Sequence, residues 1–348
     1  MAAARFFRSH LPKQLEERIN DFMISDDALS MLMLCSRLGL ESDPEPKPLT
    51  LREWNPLARK IQSSYLKRPG ELLGISARDL EIELDIDQLE ADNLHKLLDR
   101  AGTIAIELER LESIGVKVIT RADQDYPNRY RTRLREAAPP VLFYSGESAL
   151  LGQKGVAIVG SRHLDDIGKK CAEWIGNSCG LSGMVLYSGG AKGVDTISME
   201  ASLSARGTSV GVIANNMERM LRKPAYRNSI QKDDLCLVTP YTPSASFNVG
   251  LAMGRNRLIY TLADYGIVVA SSANKGGTWS GAIENMKYDW VPLFIIEYNE
   301  MPEGNHLLLE RGAISLPLSI AEDYANLETY LNEQSKKVQT KPKQPPLF

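Results

Sequence analysis

Ser188-Gly189-Gly190-Ala191-Lys192-Gly193-Val194-Asp195 is the stretch that sets the fold class of this chain. A short apolar run, Met184-Val185-Leu186-Tyr187, precedes it, and a helical pattern from Thr196 to Ala205 follows. Three glycines and one lysine therefore fall where a strand turns into a helix. Glycine permits positive φ and close approach of backbone to a ligand. A helix N-terminus offers unpaired N–H groups and positive dipole to an anion, and Lys192 adds a point charge. This is the composition of a phosphate cradle in an α/β sheet. A tight strand–helix turn with a solvated lysine fits the octapeptide alone equally well.

The flanking sequence extends the alternation. Val156-Ala157-Ile158-Val159 is a continuous apolar run of the kind found in strands covered on both faces. A helix is expected over Ile167 to Ser178, then a strand over 184–187, a helix over 194–205 and a strand over Ser209 to Ile213. Further strands are expected at Leu235–Val238, Tyr265–Ala270 and Val291–Ile296, with helical patterns at Leu251–Leu262 and Ser280–Tyr288. That succession predicts a doubly wound, mainly parallel α/β domain over residues 151–322. Ligands in such sheets bind outside the carboxyl ends of the strands.

Upstream, residues 1–115 read as a small helical domain. Apolar residues recur at helical spacing over Leu15–Met23 and Ala28–Leu38. Thr50 with Glu53 forms a capping-box pattern, Ser76 opens a further helix, and Asp87–Leu98 and Thr103–Ile114 complete the set, with Gly115 placed as a C′ residue. The linker Glu41–Pro48 separates two of these helices. Residues 116–150 form a bridge containing the strands Val116–Thr120 and Pro139–Tyr144, joined through Asp125-Tyr126-Pro127. The segment 323–348 is expected to hold the end of a helix and then, from Gln334, a polar, basic, disordered tail.

Composition narrows the function classes. A chain of 348 residues suits two or three domains. Its 41 Lys and Arg against 44 Asp and Glu give a net charge of −3, which excludes a generally basic coat but leaves room for a local basic groove. No apolar run approaches the ~18 residues that span a bilayer, and the first residues do not read as a signal peptide, so no membrane association and a cytoplasmic location are expected. Cys35, Cys171, Cys179 and Cys236 form no CxxC and no zinc-like spacing with histidine, so thiols and no metal or cofactor are expected.

Three more loops share the character of 188–195. Gly160-Ser161-Arg162 follows the strand 156–159 and offers a guanidinium suited to phosphate. Gly254-Arg255-Asn256-Arg257-Leu258 lies within or just before a helix, and arginines at i and i+2 do not share one helix face. Lys275-Gly276-Gly277-Thr278 again joins glycines, a cation and a helix start. Each alone is equally readable as a charged turn. Together they gather Arg162, Lys192, Arg255 or Arg257, and Lys275 along one edge of one sheet, without a carboxylate pair, metal cluster or activated nucleophile. That combination favours binding over catalysis, so the chain is not expected to be an enzyme.

In order along the chain, Val156–Arg162, Ser188–Asp195, Arg255-Asn256-Arg257-Leu258-Ile259, Gly304-Asn305-His306-Leu307-Leu308-Leu309 and Gly312-Ala313 resemble the successive signatures of the DNA-processing protein A (DprA/Smf) family. Asp125-Tyr126-Pro127 and Pro139–Tyr144 resemble that family's entry segment, so the likeness runs over about residues 116–316. The resemblance implies a Rossmann-like domain that binds single-stranded DNA as a homodimer and helps deliver it to the RecA recombinase. Carried over by position, Arg162, Lys192, Arg255 and Arg257 face phosphates, while Gly160, Ser161, Gly189, Gly190 and Gly193 shape the pocket. Asn256 orients the arginine loop, and Asp195 serves as cap and dipole partner.

The departures are specific. The loop Pro240–Gly250 carries Tyr241 and Phe247, either of which can stack on a base, although burial preference favours a core role for Phe247. The helical region lacks a glycine-punctuated helix-hairpin-helix, and no winged-helix domain is expected after 322. Short relatives of the family in anti-phage and toxin–antitoxin systems add a co-encoded effector or toxin as an alternative partner, with the chain as an antitoxin or nucleotide sensor. Gln344-Pro345-Pro346-Leu347-Phe348 resembles the peptide that docks on the bacterial sliding clamp, through Gln344, Leu347 and Phe348. A second alternative is a nucleotide phosphoribohydrolase, on the likeness of Gly276-Gly277-Thr278 with Glu284; the spacing between them does not fit that pattern.

Overall fold

The computed structural model describes residues 24–41, 43–322 and 327–339. The chain divides into two compact units: residues up to Ser145 together with Thr239–Ala245, and Gly146–Val238 together with Ser246 onward.

In the first unit the described helices are α1 (Asp26–Cys35), α2 (Leu51–Ser63), α3 (Ala77–Leu84), α4 (Gln88–Leu98) and α5 (Ala101–Ser113). Helix α1 is buried along Ala28–Leu34, as expected of a helix that is apolar on nearly every side. The carbonyls of Met33 and Leu38, at and beyond its end, accept from the Arg100 guanidinium, the latter at 3.1 Å. Burial lowers the Arg100 pKa to about 10. The capping box holds: the Thr50 N–H donates to the Glu53 carboxylate at 2.7 Å. Ser76 and Asp87 cap α3 and α4, and Gly115 takes positive φ just past α5. The expected helix at Leu15–Met23 lies outside the described residues.

The unit continues with an antiparallel hairpin, β1 (Lys117–Thr120) and β2 (Val141–Gly146), paired Lys117 to Tyr144 through Thr120 to Val141. Between them runs α6 (Asn128–Leu134). The Asp125-Tyr126-Pro127 segment is fixed from within, because the buried Tyr126 hydroxyl donates to the Pro139 carbonyl at 2.7 Å.

The second unit holds β3 (Gly155–Val159), α7 (Asp166–Ser182), β4 (Val185–Ser188), α8 (Val194–Ser204) and β5 (Ser209–Val212). After these come α9 (Met217–Leu221), α10 (Pro224–Gln231), β6 (Leu235–Thr239), α11 (Val249–Leu262), β7 (Tyr265–Val268) and α12 (Gly276–Tyr288). It closes with β8 (Leu293–Glu297), α13 (Glu303–Glu310), β9 (Ile314–Pro317), α14 (Leu318–Glu322) and α15 (Leu327–Gln339). The parallel strands stand in the order β6-β5-β4-β3-β7-β8-β9. Every residue of β3, β4, β5, β6 and β7 is buried, which is why their sequences read as unbroken apolar runs. The fold is the Rossmann-like doubly wound class expected from sequence. Right-handed crossovers put α7 and α8 on one face and α11 and α12 on the other, and each pair packs together.

One expectation is corrected at the far end. The polar run from Gln334 is helical as far as Gln339, because α15 buries Leu327 and Leu331, four residues apart, and Ser335 one turn on. Thr340 to Phe348, including Gln344, Leu347 and Phe348, lies outside the described residues. Among the described residues no helix is long and apolar enough to cross a membrane. Cys35, Cys171, Cys179 and Cys236 are free thiols, and burial pushes the Cys179 thiol up to about 12.

Tyr126→Phe removes a buried hydroxyl and leaves the Pro139 carbonyl without it. We expect a loss of about 1–2 kcal/mol, measured by urea denaturation; an unchanged midpoint refutes this role for the hydroxyl.

Candidate functional site

Strand β3 lies between β4 and β7, and the chain reverses its progress across the sheet there. At the carboxyl ends of these strands opens a cleft of about 410 Å³. It is the position at which doubly wound sheets take ligands.

The first wall leaves β3 as Gly160-Ser161-Arg162. The Ser161 N–H donates to the Ala270 carbonyl at 2.9 Å, and its own carbonyl accepts from the Val194 N–H at 3.3 Å. This loop is thus tied to the exit of β7 and to the start of α8. Arg162 is exposed, with its guanidinium 5.2 Å from the centre of the Phe247 ring. Phe247 is itself 50% exposed. The expected core role for Phe247 is therefore corrected: the loop ahead of α11 runs along the cleft rim and no core surrounds the ring. Val249 and Met253 are exposed beside it in sequence and also line the cleft.

The second wall is the glycine-lysine turn after β4. Gly193 has φ 91° and ψ −132°, a conformation that only glycine adopts without strain. A Cβ there would stand 2.4 Å from the Ser161 oxygen. At Gly189 a Cβ would stand 1.5 Å from Nη1 of Arg255, so the missing side chain is what lets the guanidinium lie on this turn. Arg255 comes from the middle of α11 and is 5% exposed. Its Nη1 is 3.9 Å from Oδ2 of Asp195. Asp195 sits in the first turn of α8, behind the Gly193 cap position, and accepts from the Ala191 N–H at 3.3 Å. Burial pushes its carboxyl above the usual range, opposed by the Arg255 charge and the Ala191 and Gly189 N–H groups. The cap role expected of Asp195 is corrected, because Gly193 holds the cap position without a side-chain capping bond; Asp195 lies in the first turn, at the positive end of the helix dipole, and is the partner of Arg255 as well.

The third wall follows β7. Helix α12 begins at Gly276, and the exposed Lys275 just before it, at the cap position, makes no side-chain capping bond. Gly276, Gly277 and Thr278 line the cleft with the start of this helix. Asn256 lies between Arg255 and Arg257 on α11, and its amide donates to the Gly277 carbonyl at 2.8 Å. Its observed partner is the glycine turn of α12.

The structure gathers Gly160, Ser161, Arg162, Arg255, Asn256 and Lys275 around the cleft, while Gly189, Gly190, Lys192, Gly193 and Arg257 stand outside its lining. Lys192 is exposed, and Arg257 is half-buried. Glu284 lies outside the lining too, and the one carboxylate in it is Asp195. Among the described residues no cluster of His, Cys, Asp and Glu is arranged to hold a metal.

Sequence reasoning missed Asn305 as a site residue. It is fully buried on α13, accepts from the Ser271 N–H at 2.9 Å and donates to the Val269 carbonyl at 3.0 Å. It thereby holds the segment that carries Lys275 away from β7. The available signal was a lone amide in Gly304-Asn305-His306-Leu307, immediately before an apolar run.

Fold and cleft together define a Rossmann-like module with a cationic, glycine-lined cleft at its switch point. Residues 117–326 match the family described as DNA recombination-mediator protein A, and the chain belongs to that family. It is 25% identical over 229 residues to the DNA processing protein DprA of Bacillus subtilis, covering 64% of this chain and 68% of that protein. Against the Streptococcus pneumoniae DprA it is 32% identical over 183 residues, covering 51% and 63%. The solved structure of the S. pneumoniae protein superposes with a TM-score of 0.54 at 22% identity, covering 77% of this chain and 95% of that one. DNA processing protein A from Helicobacter pylori superposes at 0.50 and 23%, covering 64% and 96%, and shares the fold.

Gly193→Ala combines forbidden φ with a backbone collision, and we expect it to cost at least about 2 kcal/mol. Gly152→Ala, whose Cβ meets nothing within 4 Å, should change stability by no more than about 0.5 kcal/mol. Equal denaturation midpoints for the two variants would contradict the geometry assigned to the turn.

Proposed function

We propose that this chain binds single-stranded DNA through its phosphate backbone, in the cleft at the carboxyl ends of β3 and β7. The observation that carries the reading is the pairing of two exposed cations, Arg162 and Lys275, with the open start of α12 around one cleft. A guanidinium, an ammonium and helix N–H groups are all phosphate donors. The one lining carboxylate is buried against Arg255, so it offers an incoming anion little repulsion. Lys192, exposed on the neighbouring turn, extends the cationic edge along a strand longer than the cleft.

Phe247 supplies a face for one base. A ring with a guanidinium over it at the mouth of a phosphate site suits a polymer whose bases are unpaired. The family to which the chain belongs supports this reading, as does the H. pylori protein, which is described for its single-stranded DNA binding mode. On the same reading the chain works without catalysis, as a homodimer in recombination that hands the strand to a RecA-type recombinase. The chain spans 68% and 63% of the B. subtilis and S. pneumoniae relatives, so these whole-protein activities are part of the proposal.

Fluorescence anisotropy with a labelled thymidine oligomer, titrated across salt, tests the assignment. Arg162→Gln and Lys275→Gln should each weaken binding and lower the log–log salt slope by about 0.7, the value for one single-strand phosphate. Phe247→Ala should weaken binding by about fivefold or more with the slope unchanged. Variants that bind like the unaltered chain would place the DNA elsewhere.

A further inference from the structure

The Arg255-Asn256-Arg257 motif reads as a pair of phosphate ligands, yet the structure puts Arg255 almost wholly inside. We infer that Arg255 is a positioning residue: with Asp195 it forms a buried strut that sets the shape of the phosphate-binding edge, and it does not itself neutralise a phosphate. The inference rests on the single-stranded DNA reading of the cleft and assigns a different role to one of its arginines.

Four observations carry it. Arg255 is 5% exposed and Asp195 5% exposed, so neither charge is available to bulk solvent. The guanidinium occupies the space a side chain at Gly189 would need, which fixes it against the turn. Asp195 faces it at 3.9 Å and also accepts from the Ala191 N–H, so one carboxylate joins α8, the glycine turn and α11. The preceding residue, Ser188, donates to the Ile158 carbonyl at 2.6 Å and extends the link to β3. Arg255 lines the cleft yet remains almost wholly buried.

Charge balance explains why both partners are needed. A carboxylate at the start of α8 competes with any ligand anion for the same N–H groups and dipole. Without Arg255 it would be a buried, uncompensated negative charge beside a phosphate site, which is strongly unfavourable. With Arg255 the pair is neutral, the turn is filled from within, and ligand phosphate is left to Arg162, Lys275 and the start of α12.

The salt dependence of binding separates a strut from a ligand, because counterion release counts only the cations that neutralise phosphates. The variants are Arg255→Gln, Asp195→Asn and the double substitution, each examined by anisotropy with the thymidine oligomer and by thermal melting. Arg255→Gln should weaken binding about tenfold or more, with the salt slope unchanged. The double variant should recover at least about threefold of that loss and melt above Arg255→Gln, since it removes the stranded carboxylate. A slope lowered by about 0.7 in Arg255→Gln, with no recovery in the double variant, makes Arg255 a phosphate ligand and overturns the inference. If Arg255→Gln does not fold, the double variant carries the comparison: a salt slope equal to that of the unaltered chain supports the strut, and one lowered by about 0.7 refutes it. Should the unaltered chain bind no oligomer, the functional reading fails. The melting temperatures then decide the strut alone: a double variant no more stable than Arg255→Gln ends it.

Discussion

The position of β3 between β4 and β7 is the constraint from which the site follows. Parallel strands cannot be joined by tight turns, so each needs a crossover, and crossovers are right-handed. A chain that starts in mid-sheet and later returns to the other side of its first strand must leave two loops diverging at that strand's carboxyl end. Here these are the segments after Val159 and Val268. The cleft is the gap between them, and the two segments are tied at their start by two hydrogen bonds, Val269 N–H to the Val159 carbonyl and Ser161 N–H to the Ala270 carbonyl. Burial of every residue in the central strands fixes the strand ends from which these loops leave.

Within that frame the two helix starts facing the cleft have different fates. The start of α8 is filled by the protein's own Asp195, locked by Arg255. The start of α12 is left to Lys275 and two glycines, steadied from behind by Asn256 and, through the β7 exit, by Asn305. The difference lies in one residue type: a carboxylate in the first turn of α8, and none in that of α12. Similar glycine-rich openings thus end differently, one filled by the protein's own carboxylate and one without a carboxylate in its first turn.

Much of the fold was legible because buried parallel strands announce themselves as apolar runs of β-formers, as at Val156–Val159 and Leu235–Val238. Element ends were less so. β9 escaped notice because an edge strand of four residues, only one of them buried, carries no continuous run. α9 and α10 are five and eight residues long and mostly polar outside Met217, Leu221 and Tyr226, too little for a helical period to show. The polar stretch Gln334–Gln339 looked unstructured because the side chains that anchor its helix, Leu327 and Leu331, precede it.

The sequence by itself determined the doubly wound sheet, the helical first unit and the set of loops that carry glycine and positive charge, because these depend on hydrophobic period and local backbone preference. Only the tertiary structure decided which of those charges are exposed at the cleft and which are buried. Arg162, Arg255 and Lys275 are indistinguishable as cations in sequence, yet Arg255 is enclosed by Asp195 and Gly189, residues 60 and 66 positions away in the chain. Phe247 was misassigned for the same reason: hydrophobicity gives a preference for burial, but whether a core exists around a given ring depends on elements distant in sequence. Local rules fix what each segment becomes, and long-range packing fixes what each charged or aromatic group meets.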